Sequence, residues 1–195
     1  MAASVDIPQL GASVEAAAVR IVDSVHRTPL DHSPFFSELA GAAVTLKMES
    51  EQVSGSFKAR GAANKVLLLA EGGPAAFDGG LTSISTGNHV RKYKQSSHNL
   101  IFRGVSEWFM WVQALAFTHA LQVGKASGAV PEDVGATVFV PEGAAPSKLE
   151  NLRQHSAPLS VYPGSYDDAE AHARKLAEDS GGVFISAVRK SCILY

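Results

Sequence analysis

The stretch Ser54-Gly55-Ser56-Phe57-Lys58-Ala59-Arg60-Gly61 decides how this chain is organised. It follows a short apolar run, residues 43–48, and leads into a helical pattern that continues to Ala70. A strand, a Ser/Gly-rich turn and a helix are therefore predicted, with Lys58 near the start of the helix. The positive end of a helix dipole favours a neutral lysine, and a neutral lysine amine is a nucleophile for carbonyl groups. The alternative is an ordinary surface lysine in a first helical turn.

The residues around Lys58 favour the nucleophilic role over that of an ordinary surface lysine. Lys47-Met48-Glu49, Gln52 and the stretch from Ser54 to Ala62 resemble the cofactor-lysine segment of the fold-type II pyridoxal-phosphate enzymes. The most similar group is that of the threonine/serine dehydratases and serine racemases. A second block, Ser85-Thr86-Gly87-Asn88-His89, resembles the substrate loop of the same enzymes. Because the lysine motif and the Asn-His loop occur together, the resemblance to this enzyme group is specific.

A third block, residues 136–150, resembles the strand, loop and helix that follow in this group, and the resemblance covers most of residues 13–89 and 114–186. It implies an α/β fold of the tryptophan synthase β type, a three-layer parallel sheet with helices, of which this chain is an incomplete, N-terminal part. The order of elements independently favours a parallel sheet, because strand-like runs alternate with helical ones. These runs are residues 43–48, 81–85, 136–141, 159–162 and 183–186, and the helical runs are residues 13–25, 35–40, 56–70, 114–121, 147–155 and 166–179.

Composition sets the broad class of the protein. The 195 residues are 46% apolar and 18% charged, as in ordinary globular domains. The net charge of −2 offers no electrostatic case for binding nucleic acid or an anionic membrane. No apolar run approaches the ~20 residues that span a bilayer, and the first residues lack the features of a signal peptide. We expect a cytoplasmic protein, and the single cysteine, Cys192, excludes an internal disulfide.

The resemblance implies roles for individual residues. Pyridoxal 5'-phosphate is the implied cofactor, and Lys58 is the residue to which it is attached and the base that acts at the α-carbon of the substrate. Phe57 and Asn88 are further cofactor-binding residues, with Asn88 bonded to the phenolic oxygen of the cofactor ring. Read without the resemblance, Asn88 is a plain turn asparagine.

The same loop is the implied substrate site. Ser85, Thr86 and Gly87 offer hydroxyl and backbone N–H donors to a substrate carboxylate, and His89 completes the set. A loop that ends at a helix N-terminus is a natural anion site. Thr86 stands where this group often has a second serine, so it is a candidate acid/base for the opposite face of the substrate. The histidines of the chain lack metal-ligand spacing, and we expect no metal site.

The resemblance implies a small amino acid as substrate and an L-threonine/L-serine ammonia-lyase activity. A serine racemase-type isomerase is the nearest alternative, and a non-catalytic fragment or pseudoenzyme is the alternative from another class. Relatives of this kind are expected to be homo-oligomers. The glycine-rich phosphate loop of the family lies beyond the matched part, so we expect the chain to be inactive by itself.

Two stretches fit nothing in the family, residues 90–113 and the tail 188–195. Both begin Val-Arg-Lys, which can be encoded by a sequence that opens with an intron donor, and Gln113 can be encoded by an intron acceptor. We interpret both as translated introns, and joining His89 to Ala114 restores a family-like sequence. The alternative is an evolved insertion and a natural tail.

Overall fold

A computed structural model describes residues 7–85 and 100–186, with the backbone alone for residues 100–112, 147, 148 and 151. The helices are α1 Ile7–Arg20, α2 Pro34–Ala40, α3 Lys58–Ala70, α4 Leu100–Ala126, α5 Pro146–Gln154 and α6 Tyr166–Ser180. The strands are β1 Leu30–His32, β2 Thr45–Lys47, β3 Leu81–Ile84, β4 Ala136–Pro141, β5 Leu159–Tyr162 and β6 Val183–Ile185. No helix within the described ranges is long and apolar enough to cross a membrane.

Four strands form one parallel sheet in the order β5-β4-β3-β6. Strand β3 lies between β4 and β6, with Leu81 opposite Ala136 on one side and Val183 on the other. Helices between successive strands return the chain to the end of the sheet where each strand begins, as parallel pairing requires. The predicted parallel α/β sheet is therefore confirmed.

Helices cover both faces of this sheet. Val138 and Val140 of β4 belong to the apolar core that includes residues of α3 and α4. Phe139, between them, meets His172 of α6 edge to face, with 5.0 Å between ring centroids. Successive side chains of a strand point to opposite faces, so α6 lies on the face away from α3 and α4. The result is the predicted three-layer arrangement.

Helix α6 is tightly joined to the sheet. Ser165 and Asp168 form a capping box at its start, and its Ala169, Ala173 and Ala177 are buried. The loop after α6 then passes against the loop before β3. A Cβ atom at Gly182 would lie 2.3 Å from the backbone oxygen of Gly79, closer than atoms can approach. Only glycine fits at this crossing.

The strand before the lysine turn does not join the parallel sheet. Strand β2 pairs antiparallel with β1 in a separate two-stranded sheet, with Leu30 opposite Lys47 and His32 opposite Thr45. The prediction of one alternating parallel series was therefore wrong at residues 43–48. Strand β1 was not predicted, because a three-residue strand carries too few side chains to show alternation.

Helix α1 begins and ends earlier than the predicted 13–25. Ser13 does not cap it, because the Ser13 hydroxyl donates to the Gln9 carbonyl at 2.9 Å, one turn back inside the helix. After Arg20 the chain forms a turn in which the Ser24 amide donates to the Ile21 carbonyl. The prediction of α2 was close, and Gly41 ends that helix in the left-handed conformation, with φ 63°.

Helix α4 runs without a break from Leu100 to Ala126. The predicted helix 114–121 lies inside it, and so do residues 100–113 of the proposed insert. The part of the insert before residue 100 and the tail 188–195 lie outside the described residues. The intron interpretation of both stretches remains a prediction.

Candidate cofactor site

The turn before Lys58 is built from local hydrogen bonds. Gly55 adopts the left-handed conformation, φ 71°, and its amide donates to the Gln52 carbonyl at 2.7 Å. The Ser54 hydroxyl donates to the Ser56 carbonyl at 3.3 Å. The Ser56 hydroxyl accepts from the Lys58 amide at 3.3 Å, so it satisfies a donor at the start of α3. The Ser/Gly-rich composition therefore serves to start the helix at Lys58.

Gln52 ties this turn to the segment that follows α1. The Gln52 side-chain amide donates to the His26 carbonyl at 2.9 Å, and its oxygen accepts from the His26 amide at 2.8 Å. The same oxygen accepts from the Val53 amide at 3.0 Å. Gln52 is buried, and all these partners are backbone groups, so its side chain acts as a rigid link between two chain segments.

A second link joins α3 to the same segment. Arg60 donates to both carboxylate oxygens of Glu49, at 3.0 Å from Nε and 2.7 Å from a terminal nitrogen. The Thr28 hydroxyl donates to Glu49 at 2.6 Å, and Arg60 also donates to the His26 carbonyl at 3.2 Å. The hydrogen bonds from Arg60 lower the pKa of Glu49, and burial opposes them. Bidentate geometry fixes the orientation of α3 as well as its position.

Lys58 is the first residue of α3, and only 6% of it is exposed. Burial lowers the pKa of its amine below the ordinary value of 10.5. A lysine of lowered pKa has a larger neutral, nucleophilic fraction at a given pH. The expected placement of Lys58 at a helix start is confirmed, although the helix begins two residues later than predicted.

Helix α3 ends at Ala70, and β3 begins at Leu81 after the connection of residues 71–80. Ser85 follows β3 directly, is buried, and its amide donates to the Phe139 carbonyl at 2.9 Å.

The remaining predicted site residues divide into two groups. Phe57 precedes α3 and is 52% exposed, so much of its ring is open to solvent beside the Lys58 backbone. Thr86, Gly87, Asn88 and His89 lie outside the described residues. The structure describes the positions of Lys58, Phe57 and Ser85, and the roles assigned to all the site residues remain predictions.

Sequence reasoning missed what holds the lysine turn in place. Gln52 and Glu49 were recognised as parts of a motif, but no role was assigned to them, and Thr28 was given none. The partners of Gln52 are backbone atoms of His26, and a backbone partner leaves no trace in the sequence. The acidic Glu49 and the basic Arg60 on either side of the turn were the available signal for the ion pair.

The loop between β4 and α5, residues 142–145, forms a turn. The Ala144 amide donates to the Pro141 carbonyl at 2.9 Å, so it is used within the loop. In the part of the chain that the structure describes, no group of three His, Cys, Asp or Glu residues could hold a metal ion.

Comparison with known proteins agrees with this geometry. The family model described as "pyridoxal-phosphate dependent enzyme" matches residues 21–95. A putative threonine dehydratase of Sinorhizobium fredii is 32% identical over 169 residues, which cover 87% of this chain and 40% of that protein. The L-threonine ammonia-lyase of Thermotoga maritima is 28% identical over 88% of this chain and 34% of its own. Serine racemase of Bos taurus is 26% identical over 94% of this chain and 45% of its own.

Solved structures show the same fold. The T.th. threonine deaminase superposes with a TM-score of 0.63 at 28% identity, over 97% of this chain and 47% of that one. Serine racemase from Dictyostelium discoideum has a TM-score of 0.66 at 23% identity, over 98% of this chain and 50% of that one, which shows the fold alone. The chain therefore has the fold of the pyridoxal-phosphate-dependent enzymes of fold type II, and it is similar to them in sequence. Its relatives there are threonine dehydratases and ammonia-lyases, with serine racemases among them, and it spans half or less of the length of each of these proteins.

Proposed function

We propose that this chain is the cofactor-lysine part of a pyridoxal-phosphate-dependent ammonia-lyase that acts on L-threonine or L-serine, with Lys58 as the residue that holds the cofactor. The observation that carries the proposal is the placement of Lys58. It is buried, its pKa is lowered, and it begins a helix directly after the Ser/Gly-rich turn. The names of the relatives support the reaction class.

The side chains of this chain have separable tasks in that reaction. The bound cofactor supplies an electron sink for the negative charge that forms at the substrate α-carbon. Lys58 would hold the cofactor through its amine and, once that amine is free, would accept the α-proton of the substrate. Asn88 and Phe57 would contact the cofactor ring. Ser85, Thr86, Gly87 and His89 would hold the substrate, with the backbone N–H and hydroxyl donors of the loop available to its carboxylate.

A racemase-type isomerase is the second candidate, and the similarity to serine racemase of Bos taurus favours it. Racemisation needs a proton donor on the face of the substrate opposite Lys58, and the resemblance makes Thr86 the candidate for that donor. Elimination needs no such group. Measuring the D-amino acid and the keto acid products of the completed enzyme separates the two activities.

We further propose that residues 1–195 do not turn over substrate by themselves. The cofactor phosphate carries about two negative charges, and it needs a nest of backbone donors or a helix N-terminus aimed at it. The loop of residues 142–145 is not such a nest, since its Ala144 amide is already used. The cytoplasmic location and the homo-oligomeric state remain predictions from the sequence and the resemblance.

A titration of the completed enzyme, this chain joined to the remaining part of the fold, with pyridoxal phosphate tests the assignment of Lys58. We expect a visible absorbance band and, after borohydride reduction, a stable pyridoxyl label on Lys58, located by mass spectrometry. Lys58→Ala should lose the band and the label. Lys65→Ala, on the same helix, is the matched control and should keep both. Labelling that is spread over several lysines, or retained on the Lys58→Ala chain at the wild-type level, would contradict the assignment.

The intron interpretation has its own test. Sequencing of the mature transcript should show that residues 90–113 and 188–195 are absent from the processed message. A processed message that still encodes both stretches would refute the interpretation. Deletion of residues 90–113 should raise the soluble yield, and a loss of yield would indicate that the first turns of α4 belong to the native fold.

A further inference from the structure

Two side chains on opposite sides of Lys58 in the chain donate to the same backbone oxygen. The Gln52 side-chain amide, before Lys58, donates to the His26 carbonyl at 2.9 Å. Arg60, after Lys58, donates from a terminal guanidinium nitrogen to the same oxygen at 3.2 Å. Residues 52–60 are therefore held at both ends against one atom, and Lys58 lies within the held stretch. We call this arrangement of Gln52, Arg60 and the His26 carbonyl the His26 clamp.

Both donors of the His26 clamp are themselves held in place. The oxygen of the Gln52 side chain accepts from the His26 amide at 2.8 Å, so this side chain bonds both backbone groups of one residue. Arg60 donates to both carboxylate oxygens of Glu49, at 3.0 and 2.7 Å. Paired hydrogen bonds fix orientation as well as distance. Because His26 lies between α1 and β1, the clamp fixes the start of α3 relative to a segment outside that helix.

The start of α3 has weak local support of its own. Phe57 occupies the capping position and makes no side-chain capping bond, and the bond from the Lys58 amide to the Ser56 hydroxyl is 3.3 Å long. A small shift of the helix start would therefore move the buried Lys58 side chain. Burial is what lowers the pKa of its amine, so such a shift would also return that pKa toward its ordinary value of 10.5.

We infer that Gln52 and Arg60 are positioning residues for Lys58, which hold its amine in the reacting position through the His26 carbonyl. The inference rests on the proposed function, in which Lys58 is the base and the residue that holds the cofactor. It differs from a purely structural role, because loosening the clamp changes the chemistry of Lys58 in protein that is still folded. A displacement of a reacting group by about 1 Å can lower a rate about a hundredfold.

Two arginine-to-lysine substitutions form a matched pair that separates the clamp from a general loss of ion pairs. Arg60→Lys keeps the positive charge but lacks the planar set of donors that reaches both partners of Arg60 together. Arg20 makes contacts of the same kind farther along α3, where it donates to the Asn64 side chain at 2.7 Å and to Glu71 at 2.6 Å. Arg20→Lys is therefore the control.

Competitive acetylation of the completed enzyme, this chain joined to the remaining part of the fold, tests the inference without cofactor. Trace acetic anhydride is added at a series of pH values, and mass spectrometry reports the labelling of Lys58 relative to Lys65. Arg60→Lys and Gln52→Leu should move the midpoint of the Lys58 profile upward, toward 10.5. Arg20→Lys should leave the Lys58 profile as in the wild type.

Turnover by the cofactor-loaded enzyme provides the second measurement. We expect kcat to fall about ten- to a hundredfold in Arg60→Lys and in Gln52→Leu, while KM stays within about twofold, because the residues proposed to hold the substrate are unchanged. The double variant should lose little more than the more impaired single variant, since both side chains act through one carbonyl. Arg20→Lys should keep kcat within about twofold of the wild type.

The outcomes separate the clamp from the proposed function. A Lys58 profile or a kcat that stays at the wild-type value in Arg60→Lys and Gln52→Leu would overturn the inference, and so would equal changes in Arg20→Lys. If Gln52→Leu fails to fold, Arg60→Lys decides the matter. Failure of the proposed function would instead appear as a pyridoxyl label that is absent from Lys58 in the wild-type enzyme, whatever the acetylation profiles show.

Discussion

The N-terminal part, residues 7–57, and the sheet part, residues 58–186, are held together by different chemistry. Of the buried residues described in the N-terminal part, four are polar and one is apolar; the polar ones are Ser24, Thr28, Gln52 and Ser54. The sheet part instead has an apolar core that includes Phe117, Leu81 and Ile84. The N-terminal part is therefore attached by directional hydrogen bonds that orient the lysine turn, while the sheet part gains its stability from buried apolar area.

The largest effect is expected from a charge placed inside the sheet part. Ala173 of α6 is fully buried, and its carbonyl accepts from the Thr82 hydroxyl of β3 at 3.0 Å. Ala173→Asp should cost at least about 4 kcal/mol and prevent folding, because the carboxylate is buried without a partner. Ala16→Asp, on exposed α1, should cost less than about 0.5 kcal/mol. Urea denaturation followed by circular dichroism measures both, and similar costs would remove the contrast between the two parts.

A methyl group at the glycine crossing should have the next largest effect. Gly182→Ala brings a Cβ atom to 2.3 Å from the Gly79 oxygen, so the backbone of two loops must move. We expect a loss of about 2–3 kcal/mol. Gly11→Ala is the counterpart in α1, where a Cβ atom meets nothing within 4 Å. It should raise stability by about 0.5–1 kcal/mol through helix propensity. A destabilising Gly11→Ala would show that α1 is more closely packed than described.

Removal of the polar link at Gln52 should have a smaller global effect but a strong local one. Gln52→Leu leaves the backbone groups of His26 without their side-chain partner, at a cost of about 1–3 kcal/mol. Hydrogen exchange at Val53 and at the first turn of α3 should accelerate more than exchange in β3. The control is Gln122→Leu, because the Gln122 side chain is exposed and makes one hydrogen bond, at 3.3 Å to His155. Uniform acceleration throughout the sheet would contradict a local role for Gln52.

The smallest effect concerns the buried amine of Lys58. Burial lowers its pKa in the folded state, so the unfolded chain binds more protons between the folded pKa and 10.5. The contribution of Lys58 to stability therefore becomes more favourable as pH rises through that window. Lys58→Met should raise the free energy of unfolding at pH 7 and reduce its increase with pH. The control is Lys65→Met. Urea denaturation of both variants from about pH 7 to 10 gives the free energy of unfolding at each pH, and identical pH profiles for the two variants would refute the prediction.

The parts of the fold that could be predicted from the sequence are those with local signals. The apolar run at β4 identified its strand, and the alternation of strands with helices identified the parallel sheet. The pairing of β1 with β2 could not be predicted, because it joins two three-residue strands across α2. The predicted start of α1 was wrong because a serine can either cap a helix or donate to a carbonyl one turn back inside it, and Ser13 does the second.

The candidate site shows the same division. Lys58 and its turn form one continuous motif, so the position of the lysine at a helix start was predictable. The burial that lowers its pKa was not, because burial is a property of the assembled fold. The link from Gln52 to His26 spans 26 positions and ends on backbone atoms, which every residue type possesses. Sequence patterns therefore identified Lys58 but not the hydrogen bonds of Gln52 that hold its turn in place.

The order of the parallel sheet has a consequence for synthesis of the chain. Strand β3 receives β4 on one edge early, but its other edge pairs with β6, and the Leu81–Val183 pair is 102 positions apart (183 − 81). At a translation rate of about 5–20 residues per second, that edge stays open for about 5–20 s after β3 is made. An open apolar strand edge is a template for pairing with other chains. The nascent β3 edge is therefore open to pairing with other chains during this interval, and slower translation between β3 and β6 lengthens the exposure.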